Sequence, residues 1–330
     1  MEQWHLQKRI SGIRRMYRDK SISVVVPAYN EELLIGKTLL SVPEYVDKIY
    51  AVDDGSKDRT AEIIEEHARA DQRIIFIKHD QNQGVGAAII NGYRWSLGDG
   101  MDITAVMAGD NQMDPEYLPD LLDPIVENRA DYTKGNRLMS AELMKGMSRW
   151  RSFGNMLLTL LTKIASGYWD LVDPQNGYTA ISKNVLEQND LDSIYTGYGY
   201  CNNILVWLNI HGRRVQDVEI PARYGDEKSG IRYSTYIPRL SGLLLHNFFW
   251  RLKMKYVVMS FHPLILFYIG GMILLLLGAA GGLVTLWEKL VMGYPVFFVH
   301  GCLSLLIFII GVQSVFFAMM FDLESGRRGG

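Results

Sequence analysis

Residues 21 to about 235 alternate two patterns of apolar spacing. Short β-branched runs bounded by polar clusters have the character of buried strands. Longer segments with apolar residues three and four apart have the period of helices. Ile22 to Val26 is the first strand-like run, and it stops at Pro27. Asn30 can cap a helix beginning at Glu31. Lys48 to Val52 reads as a second strand, and Asp58 as the cap of a helix running through Ala70. Arg73 to Lys78 reads as a third strand, Gly84 to Leu97 as a helix, and Ile103 to Ala108 as a fourth strand. That last run is mostly apolar, which places it centrally. The alternation predicts an α/β fold with a mainly parallel sheet, in which ligands bind beyond the carboxyl ends of the strands. No internal repeat or low-complexity segment interrupts it.

The pattern changes after residue 235. Apolar segments run from about Tyr256 to Trp287 and from about Tyr294 to Phe321, and neither contains Asp, Glu, Lys or Arg. Each exceeds the roughly 20 residues that carry a helix across the hydrocarbon layer of a bilayer. Only Glu288 to Gly293 separates them, so they form a hairpin with both outer ends on one side. Arg251, Lys253 and Lys255 flank the first span, and Arg327 and Arg328 follow the second. The positive-inside rule then puts the large N-terminal part in the cytoplasm. Before the hairpin, Leu240, Leu244, Phe248 and Leu252 recur every four residues beside Arg239, Arg251 and Lys253. A helix with that stripe lies in the membrane interface, or else it packs as an ordinary core-facing helix. The chain thus divides into a polar N-terminal segment (1–20), an α/β domain (21–235), an interfacial amphipathic region (236–255), two transmembrane helices (256–321) and a cytoplasmic tail (322–330).

Composition adds three points. The net charge of −2 over 330 residues gives nucleic-acid binding no support. Acidic residues are absent between Glu227 and Glu288, where Lys228, Arg232, Arg239, Arg251, Lys253 and Lys255 fall. A basic stretch beside apolar sequence suits an anionic membrane surface. Cys201 and Cys302 have no metal-ligand spacing, so a reduced compartment without a disulfide is expected. Met1 to Lys20 is polar and charged, unlike a cleavable signal peptide.

Each predicted strand ends in a polar cluster: Pro27-Ala28-Tyr29-Asn30-Glu31-Glu32, Asp53-Asp54-Gly55-Ser56, Asn82-Gln83-Gly84-Val85-Gly86, and Gly109-Asp110-Asn111-Gln112. Four clusters on one rim of a sheet make a site. Carboxylates there can accept hydrogen bonds from base and ribose, and a glycine-rich helix start can approach a diphosphate with bare amides. Gly84-Val85-Gly86 alone is equally a tight turn, and it lacks the third glycine of a dinucleotide fingerprint.

Taken together, Val26-Pro27-Ala28-Tyr29-Asn30-Glu31, Val52-Asp53-Asp54-Gly55-Ser56-Lys57-Asp58-Arg59-Thr60 and Asn82-Gln83-Gly84 resemble the family 2 glycosyltransferases of GT-A fold. Asp173-Pro174-Gln175-Asn176-Gly177-Tyr178 and Val218-Glu219-Ile220-Pro221 resemble the branch of polyprenyl-phosphate sugar synthases of the dolichol-phosphate mannose synthase type. The similarity covers about residues 21 to 235. It implies an α/β fold with a GT-A catalytic domain, a nucleotide-binding and mostly parallel sheet, followed by a C-terminal transmembrane helical hairpin. It implies that Pro27, Tyr29, Glu31, Asp53, Asp54, Gly84 and Asp110 bind the nucleotide-sugar, and that Asp110 and Gln112 hold Mg²⁺ or Mn²⁺. The family's Asp-X-Asp pattern has Ala108 at its first position here, a departure that bears on metal affinity.

The acceptor side lacks an acidic base triplet. A phosphate acceptor accounts for this, because a phosphate monoester with a second pKa near ~6 is already largely an anionic nucleophile at pH 7. It needs cations. The resemblance assigns the acceptor phosphate to Arg137, Arg149 and Ser152, and Arg223, Lys228 and Arg232 could close over the diphosphate. Asp110, Arg149 and Ser152 are the expected catalytic residues. The expected activity is inverting transfer of a hexose from a UDP- or GDP-sugar to a dolichyl or undecaprenyl phosphate. The expected partners are the nucleotide-sugar, the polyprenyl phosphate and the membrane, with no nucleic acid, and the hairpin offers a face for homo-oligomers. Two alternatives stand beside this reading. One is a processive polysaccharide synthase, for which Arg149-Trp150 is present but Gly146 replaces the Gln of Gln-X-X-Arg-Trp. The other is an inactive nucleotide-sugar-binding membrane scaffold, for which Ala108 is the support.

Overall fold

The computed structural model describes residues 17–137, 149–188, 190–197, 199–221, 233–293, 295 and 298–328. The chain forms two compact units, Met1–Asn247 and Phe248–Gly330.

The first unit is built on a seven-stranded sheet. Its elements are β1 (Ile22–Ala28), α1 (Ile35–Ser41), β2 (Lys48–Asp53), α2 (Thr60–Ala70), β3 (Ile74–Lys78), α3 (Val85–Gly98), β4 (Ile103–Val106), α4 (Leu118–Val126), β5 (Tyr132–Asn136), α5 (Arg149–Ser166), β6 (Thr179–Ser182), α6 (Lys183–Glu187), α7 (Tyr200–Ile210) and β7 (Val215–Glu219). The strand order is β3-β2-β1-β4-β6-β5-β7. β1 lies between β2 and β4 and is parallel to both, and every one of its residues is buried. Burial on both faces explains why its sequence is a continuous run rather than an alternating one. β6 is the exception to the parallel pattern, antiparallel to β4 on one side and β5 on the other. β5 and β7 are again parallel. Helices α1 and α4 bury Ile35, Leu39, Leu118, Leu121 and Leu122 in the same core as Val24, Val26, Ile49 and Ala105.

β1 to β4 fall within two residues of where the apolar spacing predicts them. The first helix does not begin at Glu31. Asn30 adopts a left-handed backbone, φ +56°, and its side-chain oxygen accepts from Lys57 N instead of capping a helix. The amides of Asn30, Glu31 and Glu32 donate to Ser56 Oγ, Thr60 Oγ1 and Asp58 Oδ2. The loop after β2 thus satisfies donors that a helix start would leave open, and α1 begins one turn later.

The second unit contains the end of α8 (Tyr233–Lys253), a π-helical turn at Met254–Met259, α9 (Leu264–Leu290) and α10 (Phe298–Arg328). α9 and α10 pack at close range. A Cβ on Gly278 would lie 2.5 Å from Phe308 N, and one on Gly311 2.6 Å from Leu275 N, so only glycine permits this approach. Both helices are long and apolar enough to cross a membrane. Only 28% and 11% of their most apolar windows is buried, which is unlike the core helices of a soluble protein. The α8 stripe faces inward: Leu240, Leu244 and Leu252 are buried, while Leu245 and Phe249 are exposed. Burial of these three leucines is the packing expected of the core-facing alternative.

Candidate active site

The strand ends on the β1–β2–β3 side carry the expected donor-site residues. Pro27 lies one residue before the end of β1 and is buried, Tyr29 is 40% exposed and Glu31 is half-buried. Asp53 is fully buried at the end of β2. Its Oδ1 accepts from Ser56 N at 3.2 Å, and its Oδ2 has no protein partner. Buried carboxylate oxygens are rarely left so.

Asp54 is engaged differently. Its Oδ1 accepts from Gln83 N at 2.9 Å and lies 2.7 Å from His79 Nδ1, and its Oδ2 accepts from Gly84 N at 2.8 Å. Asn91 Nδ2 sits 3.0 Å from His79 Nε2. The consistent tautomer has Nδ1–H donating to Asp54 and Nε2 accepting from Asn91. Asp54 therefore fastens the loop before α3. Gly84 has φ +97°, and a Cβ on Gly84 or Gly86 would meet Thr196 O at 2.8 or 2.6 Å. In this structure the two glycines are required by the close approach of the Thr196 backbone.

Asp110 follows β4 in a turn with Asn111 at φ +56°. Its Oδ1 accepts from Gln112 N at 3.0 Å. Burial pushes its carboxyl upward from the usual carboxylate range, opposed by hydrogen bonds from Gln112 N and its own N–H and by the charge of Arg137. Asp110, Gln112 and Arg137 line a single cavity of about 420 Å³ together with Gln175, Asn176 and Asn202. Val85, Met113, Ile220 and Pro221 supply its apolar wall. The donor set favours a hard cation. Asp110 brings a carboxylate and Gln112 a carboxamide, and among the described residues no three of His, Cys, Asp and Glu gather as a closed metal cage. Mg²⁺ or Mn²⁺ would find these two side-chain oxygen donors here and would supply charge neutralisation for a diphosphate.

Across the cavity, Arg137 is held by Asp173, whose Oδ2 accepts from Arg137 Nε at 2.9 Å and from its backbone N at 3.3 Å. Asp173 is 4% exposed, while the Arg137 side chain is 44% exposed, so the guanidinium is anchored at its base and open toward solvent. Arg149 and Ser152 fall in the first turn of α5. Their side chains, and all of Arg223, Lys228 and Arg232, lie outside the described residues. Sequence reasoning missed Cys201, whose thiol burial pushes up to about 11, and Asn202, both on α7 facing the cavity. It also missed His79 and Asn91 behind Asp54. None carries a local signal, because each becomes relevant only when distant segments meet.

Comparison with known proteins places the chain among glycosyltransferases. The chain is 30% identical over 219 residues to a UDP-N-acetylglucosamine–dolichyl-phosphate N-acetylglucosaminyltransferase of Methanococcus voltae, covering 62% of this chain and 87% of the relative. It is 31% identical over 220 residues to the polyprenol monophosphomannose synthase of Mycolicibacterium smegmatis, covering 63% and 78%. A similar fold occurs in the glucosyl-3-phosphoglycerate synthase of Mycobacterium tuberculosis in complex with UDP, at 20% identity, TM-score 0.53 and coverage of 72% and 81%. That protein has also been crystallised with Mn²⁺ or Mg²⁺. The profile of glycosyl transferase family 2 matches residues 23–189, about half of the chain and the whole rim from β1 to β6, and the chain belongs to that family.

Proposed function

We propose that this glycosyltransferase moves a hexose from a nucleoside-diphosphate sugar to a polyprenyl phosphate at the cytoplasmic face of a membrane. The observation that carries the reading is the cavity with Asp110 and Gln112 on one wall and the anchored, solvent-open Arg137 on another, in a chain that ends in two membrane-length helices. Two features add support. Helix α5, which begins at Arg149, exposes Met156, Leu157, Leu160 and Leu161, an apolar face suited to an isoprenoid tail or bilayer. Relatives named above act on dolichyl or polyprenyl phosphates.

In this reading Asp53 Oδ2 accepts a ring N–H of the base, and Tyr29 and Glu31 border the ribose. Asp110 and Gln112 would hold the divalent cation, which supplies charge neutralisation for the departing diphosphate. Arg137, with Arg149 and Ser152, holds the acceptor phosphate. A phosphate oxygen attacks the anomeric carbon from the face opposite the diphosphate. The carbon–oxygen bond to the diphosphate breaks, and the nucleoside diphosphate leaves with the electron pair. No proton has to be removed, so positioning carries the rate, and the configuration at the anomeric carbon inverts. Arginine suits the acceptor because its fork binds phosphate bidentately.

The test is a panel of UDP- and GDP-sugars offered with a short polyprenyl phosphate and, separately, with the matching polyprenol. Transfer to the phosphate and not to the alcohol is expected. Equal transfer to both, or transfer to neither, would overturn the proposal.

A further inference from the structure

Beneath the acceptor side lies a buried ionic contact that the proposed reaction does not use. Lys134 on β5 is 1% exposed and faces its register partner Asp217 on β7. Lys134 Nζ donates to Asp217 Oδ1 at 3.0 Å. Asp217 Oδ2 accepts from Val172 N at 2.7 Å and from Asn136 Nδ2 at 3.3 Å. A buried ion pair is weak evidence for a stabilising role, since apolar residues of similar volume often serve as well. The third partner is more informative. Val172 immediately precedes Asp173, the carboxylate that holds Arg137.

We infer that Asp217 is a positioning residue that sets the acceptor-side Arg137 through the loop of residues 171–178. The loop is fastened along its length. Asp217 takes the amide of Val172 at its start, Asp173 grips Arg137 in the middle, and Gly135 N donates to Tyr178 O at 2.8 Å at its end. Between these points the loop contributes Gln175, Asn176 and Gly177 to the cavity wall. A full carboxylate is needed because an ammonium and a backbone amide converge on its two oxygens. An Asn can turn its one oxygen to Lys134 or to Val172, but not to both. The Lys134 contact holds Asp217 against β5. The donor site is spared, because Asp53, Asp54 and their loop partners belong to other strands. Asp217 thus acts on acceptor placement without touching any substrate.

This inference rests on the lipid-phosphate reading above, and the experiment separates the two. Asp217→Asn and the double variant Lys134→Met with Asp217→Leu are compared with the unsubstituted protein in three assays: hydrogen exchange of the peptide containing Val172, binding of the free nucleotide, and steady-state transfer to a short polyprenyl phosphate. The expected result is faster exchange at 171–178, a rise of about tenfold or more in KM for the lipid phosphate, and nucleotide binding within twofold. Arg137→Ala placed on Asp217→Asn should add much less than it costs alone, because both act on the same contact. The double variant keeps the sheet packed, so the same acceptor defect with an unshifted thermal midpoint would exclude simple unfolding. An unchanged KM, or equal losses in nucleotide and acceptor use, would overturn the positioning role. Failure of the unsubstituted protein to use any polyprenyl phosphate would instead overturn the proposed function and this inference with it.

Discussion

Asp53 and Asp54 are neighbours in the chain and divide two tasks. One buried oxygen of Asp53 has no protein partner, while both oxygens of Asp54 are taken by the loop before α3. Asp53→Asn should therefore weaken nucleotide binding by on the order of tenfold to a hundredfold, the worth of a charged hydrogen bond of ~1.5–3 kcal/mol, with little loss of stability. Asp54→Asn should instead lower the thermal midpoint by several degrees, since it leaves a loop donor unsatisfied at a cost of ~1–3 kcal/mol. Calorimetric titration with the nucleotide and thermal unfolding on both variants check the division, and the opposite assignment of effects would refute it. Asp110 offers a second test. Burial already disfavours its charge, so Asp110→Ala should leave the fold intact. It should cut turnover by ~10²-fold or more, because a bound cation contributes several kcal/mol to a developing charge. Full activity of that variant, or of the native protein in chelator, would contradict the metal role.

At the scale of elements, the second unit is tied by a buried ionic contact. Two guanidinium nitrogens of Arg251 each donate to Asp322 at 2.8 Å, Tyr256 donates to the same carboxylate, and both charged groups are at most 1% exposed. The contact joins the end of α8 to the C-terminal part of α10, beside the apolar cluster of Leu252, Leu264, Tyr268 and Ala318. Removing one partner strands the other charge without water. Asp322→Ala should therefore destabilise this unit by roughly 3–5 kcal/mol. The double change Arg251→Met with Asp322→Leu should recover most of the loss. Unfolding of the purified protein in detergent, followed by tryptophan fluorescence, reads both. A single variant as stable as the native protein would show that the contact contributes nothing.

For the whole molecule the open question is which face of the membrane the site occupies. Arg251 is paired with Asp322 within the protein, so Lys253, Lys255, Arg327 and Arg328 are the flanking positive charges from which the positive-inside rule predicts an orientation. With Cys201 and Cys302 replaced by Ser, a cysteine placed at Gly293 should be labelled from outside the cell. One placed at Ser325 should be labelled only after permeabilisation. The reverse pattern would put the catalytic unit on the face opposite cytosolic nucleotide-sugars and exclude the orientation.

Some of this was legible in the chain alone. β1 to β4, the polar clusters after them and the two long apolar spans are local patterns: a buried parallel strand is a short β-branched run, and a membrane span needs no distant partner to be recognised. The common rim of those polar clusters followed, because a parallel sheet gathers its strand ends on one edge. β5 was not legible as a buried strand, since Tyr-Thr-Lys-Gly-Asn looks like surface, yet all five residues are buried. Its lysine is tolerated there only because Asp217, 83 residues on, faces it across the sheet. The same reason hid the true start of α1, whose first amides are answered by the loop after β2. Periodicity determined which residues are apolar and where strands end. Tertiary structure alone decided which polar groups meet, because hydrogen-bond partners and buried charges are fixed by long-range pairing that no local spacing encodes.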